Sequence, residues 1–244
     1  MLDLNCWESK FTNCIYADRL LKKLELLNQI FPKKIDIYEI KKAIYYAKKY
    51  HANQRRLSGE PYYSHPLEVA FMVSDYLPRT DILVTSILHD TIEDTTLTKE
   101  ALSNIFNNNI ANQVDGLTRV KSGYKISSYE LIKSLAFSKQ YDLLLIKYFD
   151  RLHNMQTIKA KDTDKIFKIV KETLKSFISL GIYFESYFAG FTKENEAIIK
   201  LCYQELNINY IPATNVSTYE DDFQLPFLTY QSEKFLKENQ LIWE

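Results

Sequence analysis

Chain breakers are scarce in this sequence: 5 glycines and 6 prolines are spread over 244 residues. Tight hairpins need glycine, asparagine or proline at fixed positions, so few can form, whereas the abundant Leu, Ile, Lys, Glu and Tyr suit long helical windows. Apolar spacing predicts a helix over Asp18–Ile30, where Leu20, Leu21, Leu24, Leu27 and Ile30 recur before Pro32, and a second over Asp36–Ala52. A loop rich in Arg, Ser, Gly and Pro follows from Asn53 to His65, and Pro66 suits the first turn of the next helix. Further helices are expected over Leu67–Tyr76, Asp81–Asp90, Thr98–Asn107 with Thr98 as N-cap, Ile110–Thr118, Ser127–Gln140 and Asp142–Ile158. A long amphipathic pattern covers Asp164–Phe188, and the polar run Asn107–Asn109 reads as a loop. The expected fold class is all-α, a helical bundle. Residues 1–35 form an N-terminal helical segment and residues 36–207 the main domain. A short irregular appendage, residues 208–244, carries one short helix near Gln231–Asn239.

Lys plus Arg equals Asp plus Glu at 31 each, so no global field draws the chain to nucleic acid or an anionic membrane. The three cysteines, Cys6, Cys14 and Cys202, lack paired spacing and fit a reducing cytoplasm. Residues 1–11 carry Asp3 and Glu8 and no apolar core of a signal peptide, and no stretch is apolar enough to span a bilayer. A cytoplasmic protein with neither nucleic-acid nor membrane partners is expected.

The chemistry gathers in three segments. Leu88-His89-Asp90-Thr91-Ile92-Glu93-Asp94-Thr95 delivers an imidazole and a carboxylate at the end of an apolar helix. Arg56-Leu57-Ser58-Gly59-Glu60-Pro61-Tyr62-Tyr63-Ser64-His65-Pro66 places a second histidine where a helix begins. Phe149-Asp150-Arg151-Leu152-His153-Asn154-Met155 puts an aspartate behind Leu143, Leu144, Leu145, Ile146, Tyr148 and Phe149, where an unpaired carboxylate is costly. Asp150 needs a partner: either Arg151 or a neighbouring helix, or a metal shared with His65, His89 and Asp90. Imidazole and carboxylate together suit a first-row divalent ion, and four ligands leave room for water and substrate. Glu93 and Asp94 follow His89 and Asp90 by four residues, so a slightly unwound turn brings them beside that metal as proton acceptors. Asp150, Asn154 and Thr157 share one side of their helix; Lys147, one turn earlier, faces the same cavity or solvent.

This ordered set, with Val-Asp-Gly-Leu-Thr between the second and third histidine-aspartate segments, resembles the hydrolase domain of RelA/SpoT homologues over roughly Tyr45 to Leu180. HD phosphohydrolases in general share only the His, His-Asp, Asp skeleton; the Ser58–Pro61 loop, Glu93-Asp94-Thr95 and Asp150–Met155 narrow the likeness. The resemblance implies an all-α HD-domain bundle with manganese held by His65, His89, Asp90 and Asp150. It implies hydrolysis of the stringent-response alarmone guanosine 3′,5′-bis(diphosphate), or its pentaphosphate form, to GDP or GTP and diphosphate, with Glu93 and Asp94 catalytic. Arg56 would stack on guanine and Asn154 and Thr157 contact the nucleotide, with Ser58, Lys147 and Arg151 as further substrate-binding residues. Arg55 and Lys121 are candidates to assist with phosphate, and His51 and His153 take structural roles.

Asn53, Leu57, Phe149 and Arg119 depart from the family's usual residues without removing a ligand; Phe149 is expected to tighten the pocket and Leu57 to weaken a phosphate contact. Fewer than 65 residues follow Leu180, too few for a synthetase domain, so a hydrolase-only protein is expected. Two alternatives remain: an HD phosphohydrolase for another nucleotide, such as a 2′- or 3′-phosphate or a dinucleotide cofactor, and a non-catalytic alarmone-binding paralogue.

Overall fold

The computed structural model describes residues 7–121 and 124–206, and the chain divides into two compact units, residues 1–127 and 128–244. In the first unit the elements are α1 (Trp7–Lys10), α2 (Ile15–Ile30), α3 (Ile37–His51), α4 (Ser64–Val73), α5 (Thr80–Leu88), α6 (Thr91–Asp94), α7 (Lys99–Ile105) and α8 (Asn108–Leu117). They end in an antiparallel ribbon of β1 (Val120–Lys121) and β2 (Tyr124–Lys125), with Val120 opposite Lys125.

α5 is the axis of this unit. Every residue from Ile82 to Leu88 is buried, and the helix packs on α3, α4 and α8. A helix buried on all sides needs neighbours on all sides, and its polar residues need internal partners. Thr85 donates to Gln113 Oε1 at 2.6 Å, and Ser86 Oγ to the carbonyl of Ile82 at 2.8 Å. Truncating one of these aliphatic side chains to alanine costs about 2–5 kcal/mol.

The helix starts follow their caps. Asp36 accepts from the backbone N–H groups of Tyr38 and Glu39, and Thr98, as expected, from that of Ala101. Asn107–Asn109 is not a loop: Asn107 Oδ1 accepts from the Ile110 N–H at 2.9 Å, and α8 begins at Asn108. The expected helix over Asp81–Asp90 stops early, at Leu88. His89 and Asp90 form a turn, and the Asp94 N–H restarts the chain as α6 by donating to the Asp90 carbonyl at 2.9 Å.

The second unit contains α9 (Ser128–Phe137), α10 (Tyr141–Gln156), a 3-10 turn (Ile158–Ala160), α11 (Thr163–Glu172), a π-helical turn (Thr173–Phe177), α12 (Ile178–Glu185) and α13 (Thr192–Glu205). α10 is its axis, packed on α9, α12 and α13 and buried at every residue from Leu143 to His153. The long pattern over Asp164–Phe188 resolves into α11 and α12 joined by the π turn. α13 was not anticipated, although its buried Asn195, Ile198, Ile199 and Cys202 follow helical spacing. Asn195 reaches α12 so closely that a Cβ at Gly181 would lie 2.1 Å from its Oδ1, so any side chain there would displace Asn195. Phe149 is fully buried, and its ring meets Phe191 at 5.8 Å in an aromatic core.

Within the first unit the expected N-terminal segment contributes α2, which packs on α3 and α4, while the expected main domain, 36–207, runs through both units. The appendage, 208–244, with its short helix near Gln231–Asn239, lies outside the described residues, as do Cys6 and the Lys121 side chain. No helix among the described residues is long and apolar enough to cross a membrane.

Candidate metal centre

The histidines and acids of the first unit meet where α5 stops. His89 Nδ1 lies 2.8 Å from the carbonyl of Ser86. A carbonyl only accepts, so Nδ1 carries a proton, and in the neutral ring Nε2 presents its lone pair. That lone pair faces Asp90 Oδ1 at 3.0 Å, and His65 Nε2 lies 3.6 Å from Asp90 Oδ2. An imidazole lone pair and a carboxylate oxygen facing each other at 3.0 Å require positive charge, either a proton on the ring or a cation beside both. The hydrogen bond behind His89 is the kind that orients metal-ligating histidines. His65 and His89, both buried, offer two imidazole nitrogens beside the Asp90 carboxylate, a donor set that fits a divalent cation.

The loop between α3 and α4 is fastened to the acids that follow. His51 Nδ1 donates to Gln54 Oε1 at 2.8 Å, and Gln54 Nε2 donates to the backbone carbonyl of Asp94 at 2.9 Å. The Tyr62 ring stacks on His51, with centroids 4.6 Å apart and planes inclined by 23°. Its hydroxyl lies 2.6 Å from Asp94 Oδ2 and 3.2 Å from Asp90 Oδ2. Burial holds His51 below the usual histidine range, which keeps its ring neutral.

Glu93 and Asp94 have opposite surroundings. Burial pushes Asp94 above the usual aspartate range; the Tyr62 hydrogen bond opposes this, and the charges of Asp90 and Glu93 add to it. Burial acts on Glu93 in the same direction but is outweighed by Lys125, the Arg119 N–H and the Arg119 charge, so its carboxyl sits below the usual range. Lys125 Nζ is 2.7 Å from Glu93 Oε1, and the Arg119 N–H donates to Oε2 at 3.0 Å. Glu93 thus clasps the β1–β2 ribbon, while Asp94 is the better proton acceptor.

At the tip of the α3–α4 loop, the Gly59 N–H closes on the Arg56 carbonyl at 2.9 Å, with Gly59 at φ +92°. A residue with a Cβ is strained there. Arg55 Nη1 donates to the Gly59 carbonyl at 2.8 Å, so this arginine braces the loop. Ser58 is exposed at the tip, Arg56 is half-exposed, and the Leu57 side chain projects into solvent, 71% exposed.

In the second unit Asp150 pairs with Lys147, one turn earlier, and accepts from Asn154 Nδ2 at 2.6 Å, one turn later. Lys147 is therefore a buried cation on the Asp150 face rather than a solvent-facing one. Arg151, a step of about 100° further round the helix, is directed elsewhere. Its guanidinium donates to Glu172 Oε2 at 2.7 Å and Ser128 Oγ at 3.1 Å and lies 4.5 Å over the Phe177 ring. Those contacts tie together α9, α11 and the π turn. Thr157 Oγ1 donates to the His153 carbonyl at 3.1 Å and closes the end of α10. His153 is buried.

The sequence reading passed over Tyr62, Gln54 and Lys125. Tyr62 is 28 and 32 residues from its two carboxylate partners and Gln54 is 40 from Asp94, so no local spacing announces them.

The HD domain family profile matches residues 43–181, across both units. A "GTP pyrophosphokinase rsh" of Brucella ovis is 37% identical over 170 residues, covering 66% of this chain and 23% of that protein. A guanosine-3′,5′-bis(diphosphate) 3′-pyrophosphohydrolase of Aquifex aeolicus is 34% identical over 165 residues, covering 66% and 23%. This chain therefore spans about a quarter of the length of these relatives. Among solved structures, a metazoan ortholog of SpoT that hydrolyzes ppGpp superposes with a TM-score of 0.54 at 21% identity, covering 70% of this chain and 96% of that one. The helical architecture, the order of its histidine and aspartate segments and these matches identify the chain as a member of the HD domain family, homologous to the RelA/SpoT proteins.

Proposed function

We propose that this chain is a divalent-metal phosphohydrolase that removes the 3′-diphosphate of guanosine 3′,5′-bis(diphosphate), or of its pentaphosphate form, leaving GDP or GTP. The observation that carries the reading is the His89 tautomer, fixed by the Ser86 carbonyl so that Nε2 faces Asp90 beside His65 Nε2. The Aquifex and metazoan relatives, named for this hydrolysis, support the choice of substrate. The profile match that runs from His65 through Asp150 supports one shared centre.

In this reading His65, His89, Asp90 and Asp150 hold the cation, with manganese the expected ion. When bound, it supplies Lewis acidity, lowering the pKa of water and polarising a phosphoryl oxygen. Asp94 takes the proton of the attacking water, whose oxygen bonds to the phosphorus next to the ribose as the 3′-oxygen leaves. Glu93 holds the ribbon. Arg56 stacks on guanine, Ser58 and Lys147 meet phosphate oxygens, and Asn154 and Thr157 orient the nucleotide. Arg151 acts on the substrate only through the set of α10. Acting on a soluble nucleotide, the protein would work in the cytoplasm.

The test is incubation of the purified protein with manganese and a nucleotide panel, with products separated by ion exchange and Asp150→Ala as the blank. Manganese-dependent release of diphosphate from the alarmone is expected; its absence from folded, metal-loaded protein, beside an active control enzyme, overturns the reading. The exposed Leu57 favours one second reading, a phosphohydrolase whose specificity has moved to another nucleotide, which a different preferred substrate in the same panel would select.

A further inference from the structure

The Tyr62 hydroxyl stands between two carboxylates, 2.6 Å from Asp94 Oδ2 and 3.2 Å from Asp90 Oδ2. A phenol has one proton to give, and the shorter, better contact is to Asp94. The ring that carries it is clamped. His51 stacks beneath it, and the Tyr62 N–H donates to the Gln54 carbonyl at 3.0 Å. Gln54 in turn holds the Asp94 backbone through its side-chain amide and is itself held by the buried His51. Backbone and side chain of Asp94 are thus fixed from one loop. The carboxylate has two oxygens, and the hydroxyl holds Oδ2, which commits the orientation of Oδ1.

We infer that Tyr62 is a positioning residue: its hydroxyl fixes the rotation of the Asp94 carboxylate relative to Asp90, so that one Asp94 oxygen is aimed at the attacking water. This rests on the hydrolytic reading above, in which Asp94 accepts the proton. A misplacement of about 1 Å in such a group costs on the order of a hundredfold in rate. His51 and Gln54 belong to the same clamp, one link further from the carboxylate.

Tyr62→Phe keeps the ring and its stack on His51 and deletes only the hydroxyl. The expected result is a fall in kcat of roughly ten- to a hundredfold with KM changed less than about twofold, because the contact matters to the reacting geometry and not to nucleotide binding. Manganese affinity, read by electron paramagnetic resonance, should stay within about threefold, since the stronger contact is to Asp94 and not to Asp90. In an Asp94→Asn background the same change should have no further effect on kcat, as a double-mutant cycle requires of a residue that acts through another. An unchanged kcat overturns the proposal, as does an equal loss in both backgrounds or a loss explained by weakened manganese binding. A readout independent of turnover is the Asp94 side-chain carboxyl carbon resonance, assigned by its absence in Asp94→Asn and measured at fixed pH without added metal. It should move in Tyr62→Phe, and an unmoved resonance overturns the proposal. If the wild type releases no diphosphate while that resonance moves, the hydrolytic reading has failed and the contact stands. Should Tyr62→Phe not fold, Gln54→Ala, which releases the Asp94 backbone, is put through the same cycle with the same outcomes.

Discussion

Asp150 sits in the middle of a sixteen-residue helix, and its partners lie on the same helix, Lys147 one turn before and Asn154 one turn after. Asp90 and Asp94 sit where a helix has stopped, and Asp94 is held from a loop more than thirty residues away. The second unit therefore presents its buried acid through periodicity, while the first holds its more exposed acids through a tertiary clamp. Asp150 has a neutralising cation beside it and depends on that pair for stability. Asp94 has a neutral donor and two nearby negative charges, and those charges add to desolvation in holding its carboxyl above the usual aspartate range.

The sharpest way to break this contrast is Asp150→Ala. It strands the buried Lys147 ammonium, so unfolding by urea should show a loss of about 3–5 kcal/mol, together with loss of manganese-stimulated diphosphate release. Adding Lys147→Met should return much of the stability and none of the activity. If the single variant is as stable as the wild type, the pair is not what secures α10.

Asp94→Asn should behave in the opposite manner. Asparagine keeps an oxygen for the Tyr62 hydroxyl and leaves the Gln54 contact to the backbone intact, so the melting temperature should barely move. The loss of a proton acceptor should lower kcat by roughly 10²- to 10⁴-fold. A large fall in melting temperature would place Asp94 with Asp150 as a structural acid.

The smallest effect is expected of Glu93→Gln, measured as the urea midpoint against pH. The folded-state carboxyl is below its ordinary value of 4.5, so its contribution is fully present above that value and fades as pH falls through the lower folded one. Wild type should exceed the variant by about 1 kcal/mol or less at pH 7, since Lys125 is 56% exposed, and the two should converge in acid. Persistence of the difference at low pH would mean that the clasp on the ribbon is not ionic.

The same contrast explains what the sequence revealed. The axis helices α5 and α10 are legible because burial on every side leaves an unbroken apolar run, and the face shared by Asp150 and Asn154 follows from helical geometry. Lys147 was one of two readable alternatives, and the structure chose the buried one. Asp150 pairs with Lys147, whereas Arg151, one step further round the helix, pairs with Glu172. Nothing local distinguished Glu93 from Asp94. Their difference depends on Lys125 and Tyr62, which come from opposite directions along the chain. Asn107 misled because asparagine favours both turns and caps, and only the Ile110 N–H decides between them.

The early stop of α5 has a consequence for how the protein can evolve or be engineered. A helix that ends leaves its last carbonyls without backbone partners. Here side chains adopt two of them: His89 Nδ1 takes the Ser86 carbonyl and Thr91 Oγ1 the Leu88 carbonyl, at 2.8 and 2.7 Å. Substitutions that regularise this turn into continuous helix would give those carbonyls to backbone N–H groups and release the His89 ring to its other tautomer. Local stabilisation and the set of the His89 ring therefore compete for the Ser86 carbonyl, and the fold keeps that ring oriented by leaving the helix unfinished.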